Sequence, residues 1–269
     1  AVVPAAQRGL VVQTENAYLL VDGAEVTSLW ETGPDDELRG GTTVGDDFVI
    51  ATNEGLFSLF EGTLRPSPAQ ALLGDIFGIE SDENGTVWIT GSEGIHAWSD
   101  GQLFEISSAD IPDELREAMV TTAPWADEVA LWIAQGSSIT GLTFDGRMAQ
   151  AWTVALEENI EAMTGNSDGL WILTESELKM MGPDGLWLRY VRPDVGQSIT
   201  ASIRSDALWL HAMGFLSQIV NDALTELLPT PDFTDLVISR DGSALLFGDA
   251  GLFQVRAGRF ISITGLKEG

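Results

Sequence analysis

The sequence contains no cysteine, so it builds neither a disulfide framework nor a thiolate metal site. Lysine is nearly missing, with Lys179 and Lys267 the two copies, and histidine is as scarce, with His96 and His211. No stretch reaches the ~18 uninterrupted apolar residues that a membrane-spanning helix needs, so no membrane insertion is expected. Positive charge is short overall: 13 Lys plus Arg stand against 41 Asp plus Glu, for a net charge of −28. Such a surface repels nucleic acids and anionic lipid headgroups, which removes both from the expected partners. Acid excess suits a salty environment that screens self-repulsion, or a surface that recruits cations or basic partners. Phosphate-loop, dinucleotide and nucleophile-elbow motifs are absent as well.

What is present is a 269-residue chain that is 44% hydrophobic, enough for one large core. It opens Ala1-Val2-Val3-Pro4-Ala5-Ala6 without an initiator Met. That is the form expected after signal-peptide removal, and it sets the expectation of an extracytoplasmic protein, periplasmic or secreted.

One pattern organises the whole chain. The stretch from Gly85 to Phe104 reads as strand, tight turn, strand, Asp-Gly hairpin and strand. Its element Val87-Trp88-Ile89 returns as Leu131-Trp132-Ile133, Leu170-Trp171-Ile172 and Leu208-Trp209-Leu210. Phe48-Val49-Ile50 and Ala244-Leu245-Leu246 fill the same slot without Trp, and Leu10 takes it in the first repeat. The slot residues 10, 49, 88, 132, 171, 209 and 245 lie 39, 39, 44, 39, 38 and 36 apart. A hairpin pair follows each slot, among them Asp100-Gly101, Asp145-Gly146 and Asp184-Gly185, with Gly where a turn needs positive φ. A further short strand precedes most slots, as at Ile76 to Glu80, Met119 to Thr122 and Ile160 to Thr164.

Four short strands per ~40-residue repeat is the signature of a β-propeller. The fold expected is all-β: residues 1–269 as a single propeller domain of seven four-stranded blades. The first repeat leaves only Ala1 to Ala6 for its innermost strand, so the tail Thr264 to Gly269 is a candidate to supply or extend it. Six blades plus an irregular closing blade is the alternative. The 44-residue interval is taken up by Ser107 to Glu117, where Pro112 opens an expected single helical turn.

The motif Asp-x-x-Gly-x-Val-Trp-Ile-x-x-x-x-Gly-Ile, best seen from Asp82 to Ile95, resembles the propeller repeats of the two-component-regulator type. Asp241 to Leu252 is a weaker copy. The resemblance implies an extracellular sensor-type propeller. No transmembrane helix or kinase segment follows the repeats here, so a free-standing propeller is expected.

Glu15, Glu54 and Glu93 occupy the same turn in three consecutive repeats. An arc of carboxylates at a channel mouth is a candidate for Ca²⁺ or a cationic ligand, although no loop has the dense Asp pattern of a hard-cation cage. Trp30, Trp125 and Trp152 fall near strand ends or in loops, which makes them candidate stacking platforms, while the slot tryptophans read as core. His96 and His211 sit at different repeat positions, so symmetry does not pair them. The function expected is non-catalytic recognition of a protein partner, a glycan or another small molecule at the loop face, as a subunit of a periplasmic or surface assembly in one form. The alternative is a propeller lyase, lactonase or hydrolase with a metal at the channel mouth, drawing on Glu80, Glu161 and Asp235.

Overall fold

The computed structural model describes residues 2–4, 10–13, 17–22, 25–31, 37–44, 47–60, 63–67, 73–82, 85–99, 102–107, 111, 115–126, 128–146, 149–185, 187–191, 198–201, 208–212, 215–220, 223–229, 235–238, 244–248, 251–256 and 259–262. Among these residues the strands pair into seven four-stranded antiparallel sheets, each made of consecutive strands. The first holds β1 (Val2–Pro4), β2 (Leu10–Gln13), β3 (Ala17–Asp22) and β4 (Glu25–Glu31). The second holds β5 (Leu38–Val44), β6 (Asp47–Thr52), β7 (Gly55–Phe60) and β8 (Thr63–Pro66). The third holds β9 (Ile76–Ser81), β10 (Val87–Gly91), β11 (Gly94–Ser99) and β12 (Gln102–Ile106). The fourth holds β13 (Met119–Trp125), β14 (Glu128–Gln135), β15 (Ser138–Phe144) and β16 (Ala149–Ala155). The fifth holds β17 (Ile160–Asn166), β18 (Gly169–Thr174), β19 (Glu177–Met181) and β20 (Trp187–Val191). The sixth holds β21 (Ser198–Ala201), β22 (Leu208–Ala212), β23 (Phe215–Val220) and β24 (Ala223–Pro229). The seventh holds β25 (Asp235–Ile238), β26 (Ala244–Gly248), β27 (Gly251–Arg256) and β28 (Arg259–Ser262). The first strand of each sheet touches the first strand of the next, and β1 touches β25. The architecture is an all-β propeller.

Alternation along the second strand of each sheet explains how the sheets adhere. Odd and even side chains of a strand face opposite sides, and here both sides meet another sheet. Val49 and Ala51 pack with Val87 and Ile89 of the third sheet, while Phe48 and Ile50 pack with Val11 and Leu29 of the first. Like Val49, the four slot tryptophans turn toward the following sheet. Trp88 meets Leu131 and Ile133, Trp132 meets Leu170 and Ile172, Trp171 meets Leu208 and Leu210, and Trp209 meets Ala244 and Leu246. Strands β10 and β18 are buried at every residue.

Local chemistry sets the turns. The Asp82 carboxylate accepts the Thr86 N–H (2.9 Å), and the Asp82 N–H donates to the Thr86 carbonyl (3.0 Å). The Asp-x-x-Gly part of the repeat motif is thus a turn device between β9 and β10. Asn166 serves the equivalent turn in the fifth sheet, accepting N–H bonds from Asp168 and Gly169 and from the Trp171 indole. Gly146 and Gly185 take φ of 88° and 77°, as the hairpin pattern requires. Val2–Pro4 supplies the innermost strand of the first sheet, with Pro4 opposite Leu10. The tail Thr264 to Gly269 lies outside the described residues. Of the expected helical turn, 112–114 also lie outside them. Leu115 to Ala118 form a simple turn closed by the Ala118 N–H on the Leu115 carbonyl (3.2 Å), with Leu115 buried.

Candidate functional site

The turns joining the second and third strands share one face of the ring with the segments that enter each new sheet. The two are hydrogen-bonded together by a recurring device. The Glu37 N–H donates to Asn53 Oδ1 (2.7 Å), and the Asn53 N–H donates back to the Glu37 carbonyl (3.0 Å). In the next sheet the Asp75 N–H donates to Ser92 Oγ (3.0 Å), and the Ser92 N–H to the Asp75 carbonyl (2.8 Å). In the fifth, the Ser176 N–H and hydroxyl donate to the Glu158 carboxylate at 3.1 and 2.5 Å. The Ser176 hydroxyl, with Thr174, holds the Glu158 carboxyl down at about 2.

At the rim of this face a groove of about 380 Å³ separates the first two sheets. Tyr18 of β3, Trp30 near the end of β4, Phe57 of β7, and Leu64 and Pro66 of β8 form its apolar walls. Thr52 and Glu54, at the β6–β7 turn, add its polar side. Trp30 is 44% exposed and meets Phe57 at 5.7 Å between ring centroids, with the planes 50° apart. The Thr52 hydroxyl is used within its own turn: it accepts the Glu54 N–H (3.0 Å) and donates to the Gly55 carbonyl (3.4 Å). The structure therefore brings Trp30 and Glu54 to one place, although they are far apart in sequence. Tyr18 and Phe57 are not among the candidate residues that the sequence pattern offers, because periodicity along one strand gives no sign of a groove between two sheets.

Trp125 and Trp152 form a different group. Their rings stack at 5.1 Å and 27°, and each meets Trp132 edge-on, at 5.4 and 5.5 Å. Gly141 makes this possible. It lies opposite both Trp132 and Trp152 in the sheet, and a Cβ there would come within 2.6 Å of the Trp152 ring and 2.8 Å of the Trp132 ring. The cluster packs against the fifth sheet with Trp187.

Glu93 is exposed on the β10–β11 turn, the counterpart of Glu54. Glu15 lies outside the described residues. Among the described residues no three His, Asp or Glu side chains gather to hold a metal ion. Glu80 and Glu161 stand on innermost strands of the third and fifth sheets, with the fourth between them. The Asp235 side chain lies outside what is described. Glu80 keeps some surface open to solvent, yet the protein encloses it closely enough that desolvation pushes its carboxyl up to about 7. His96 is buried on β11 opposite Glu105, and burial lowers its pKa against the opposing pull of Glu105 and Glu93.

No protein-family model matches the chain, and no curated protein matches it by sequence. Solved structures match it in fold. Virginiamycin B lyase from Staphylococcus aureus superposes with a TM-score of 0.67 at 17% identity, over 92% of this chain and 91% of the lyase. BBS1N, in complex with ARL6DN, gives 0.67 at 13% identity, over 93% of this chain and 88% of that one. YCF48, bound to a D1 peptide, gives 0.64 at 16% identity, over 94% of this chain and 89% of that one. At these identities the likeness establishes the β-propeller fold that the repeats and the ring of sheets had already indicated.

Proposed function

We propose that this chain is a recognition propeller without catalytic activity, which holds a protein partner at the rim of its loop face. A glycan or other small molecule is the narrower form of the same reading. The observation that carries it is the groove between the first two sheets, where a large aromatic ring is left open to solvent beside a second ring and a carboxylate. Single exposed apolar residues are ordinary on protein surfaces, but aromatic rings grouped in a groove are the usual anchors of an interface. Protein-bound relatives in fold, BBS1N and YCF48, accord with this use. The repeats are of the two-component-regulator type on this reading, and the ring closes with seven complete blades, β1 of the first against β25 of the last.

Site-specific photocrosslinking tests it. A benzophenone side chain placed at position 30 should capture a partner in the native source, and one placed at exposed Glu128 should not. Equal capture at both positions, or none at either, would sink the reading.

A propeller enzyme is the second reading, and one observation favours it. A carboxyl near 7, as at Glu80, is suited to proton transfer at neutral pH. Recognition is preferred because, among the described residues, no three His, Asp or Glu side chains gather to hold the metal that reading calls for.

A further inference from the structure

We propose that the groove between the first two sheets takes an arginine side chain from a basic segment of a protein partner; this rests on the recognition reading above. Three features converge on that occupant. First, the half-exposed Trp30 indole and the tilted Phe57 ring beside it offer aromatic surface to a planar cation. Guanidinium stacks on such faces and is more weakly hydrated than the ammonium of lysine, so it loses less on leaving water. Second, the polar side of the groove carries Glu54, which matches a guanidinium fork in charge and in geometry. Third, the whole chain carries −28, and Glu31 stands exposed beside Trp30 on β4. The net field draws a basic segment to the protein, and Glu31 and Glu54 direct it to the groove against the opposing charge of Arg65, exposed on β8 between Leu64 and Pro66.

The same inventory argues against a sugar. A sugar ring stacks on an aromatic face but also needs several hydrogen-bonding groups around its edge. Here the Thr52 hydroxyl already accepts from the Glu54 N–H and donates to the Gly55 carbonyl. Leu64 and Pro66 offer no side-chain donor or acceptor and the Tyr18 hydroxyl is buried, which leaves the Glu54 carboxylate as the main acceptor for a sugar edge.

Titration calorimetry with defined probes tests the proposal. The probes are a Gly-Arg repeat peptide, matched Gly-Lys and Gly-Glu peptides, and the neutral oligosaccharide maltohexaose. The Arg peptide should bind more tightly than the Lys peptide, and the other two should not bind. Trp30→Ala leaves the net charge unchanged, so it separates the groove from general attraction by an acidic surface. It should weaken the Arg peptide by about three- to fivefold, the upper range of a cation–π contact at an exposed ring. Trp30→Phe should restore most of the affinity, Glu54→Gln should weaken it, and Glu128→Gln should leave it within about twofold. Circular dichroism of each variant shows whether it has folded, and Trp30→Leu, which keeps an apolar side chain but has no π-face, carries the test with the same expected loss if the Ala variant has not. Equal affinity in wild type and Trp30→Ala would overturn the proposal, as would Trp30-dependent binding of the oligosaccharide. If no probe binds but crosslinking from position 30 still captures a partner, the arginine proposal fails and the recognition reading stands. If neither occurs, both fail.

Discussion

Single residues carry the two sharpest energetic expectations. Trp132 is fully buried between the fourth and fifth sheets, with Trp125 and Trp152 against it. Truncating such a ring leaves a cavity, so Trp132→Ala should lower the unfolding free energy by about 3–5 kcal/mol. Among the described residues its indole N–H meets no acceptor, so Trp132→Phe forfeits mainly apolar contact and should cost less than half as much. Urea unfolding of the two variants checks this; an unchanged midpoint for the alanine variant would place the ring outside the core. Glu80 gives a pH-dependent expectation. Its carboxyl sits at about 7 in the folded chain against 4.5 when unperturbed. A raised folded pKa means that its contribution to stability is complete below about pH 4.5 and is lost as pH rises through 7. Glu80→Gln, which cannot ionise, should therefore match the wild type near pH 4 and exceed it near pH 8. The ceiling on the gain is about 3 kcal/mol, at about 1.36 kcal/mol per unit. A difference that stays constant across that range would show that Glu80 titrates as an ordinary surface carboxyl.

At the level of strands and turns, the device that ties the entering segment to a turn of its own sheet, seen in the second, third and fifth sheets, has a measurable acid signature in the fifth. Glu158 holds Ser176 through two hydrogen bonds, and its carboxyl is kept at about 2, below the ordinary 4.5. A lowered folded pKa gives stability that is present above about 4.5 and lost as pH falls toward 2. Glu158→Gln should flatten the wild-type loss of thermal midpoint across that window and leave the rest of the acid limb alone. An identical acid limb in both proteins would mean that the turn does not depend on the carboxylate. This element scale is also where the sequence speaks most clearly. The slots at Trp88, Trp132 and Trp171 announce their strands because a strand buried on both faces must be apolar without a break. The Gly hairpins mark their ends because positive φ favours glycine. Strand β1 is harder to read, because three residues ending in Pro4 carry almost no pattern of their own; it is the pairing with Leu10 to Val12 that makes them a strand. The groove is less legible still. Trp30 on outer strand β4 and Glu54 on the β6–β7 turn line one groove only because two sheets meet there, and periodicity within a strand holds no information about contacts between sheets. Trp125 and Trp152 read as loop and edge residues for a different reason: they sit on the first and last strands of one sheet, and their stacking across it depends on Gly141, which leaves the space the rings occupy.

The whole molecule is governed by its charge. With 41 acidic and 13 basic residues on one compact ring, self-repulsion destabilises the folded state when salt is low. Screening depends on ionic strength, with a Debye length of about 10 Å at 0.1 M, and not on which cation supplies it. A bound metal behaves otherwise, because mass action on the folded state saturates and is specific to the ion. Glu54 lines the groove with Trp30, while Glu93 leans over Gly74 on the next turn, its Cγ 2.9 Å from where a Cβ on that glycine would stand. Each of these two carboxylates thus belongs to its own turn, a poor arrangement for a hard cation that needs 6–8 oxygens. We therefore predict that the thermal midpoint rises smoothly with ionic strength, by the same amount in NaCl and in CaCl₂ at matched ionic strength. Glu54→Gln and Glu93→Gln should each shift the low-salt end slightly upward and leave the shape of the curve intact. A saturable gain at millimolar Ca²⁺ that both variants lose would replace screening with a true calcium site, and the carboxylate turns would then act together across neighbouring sheets.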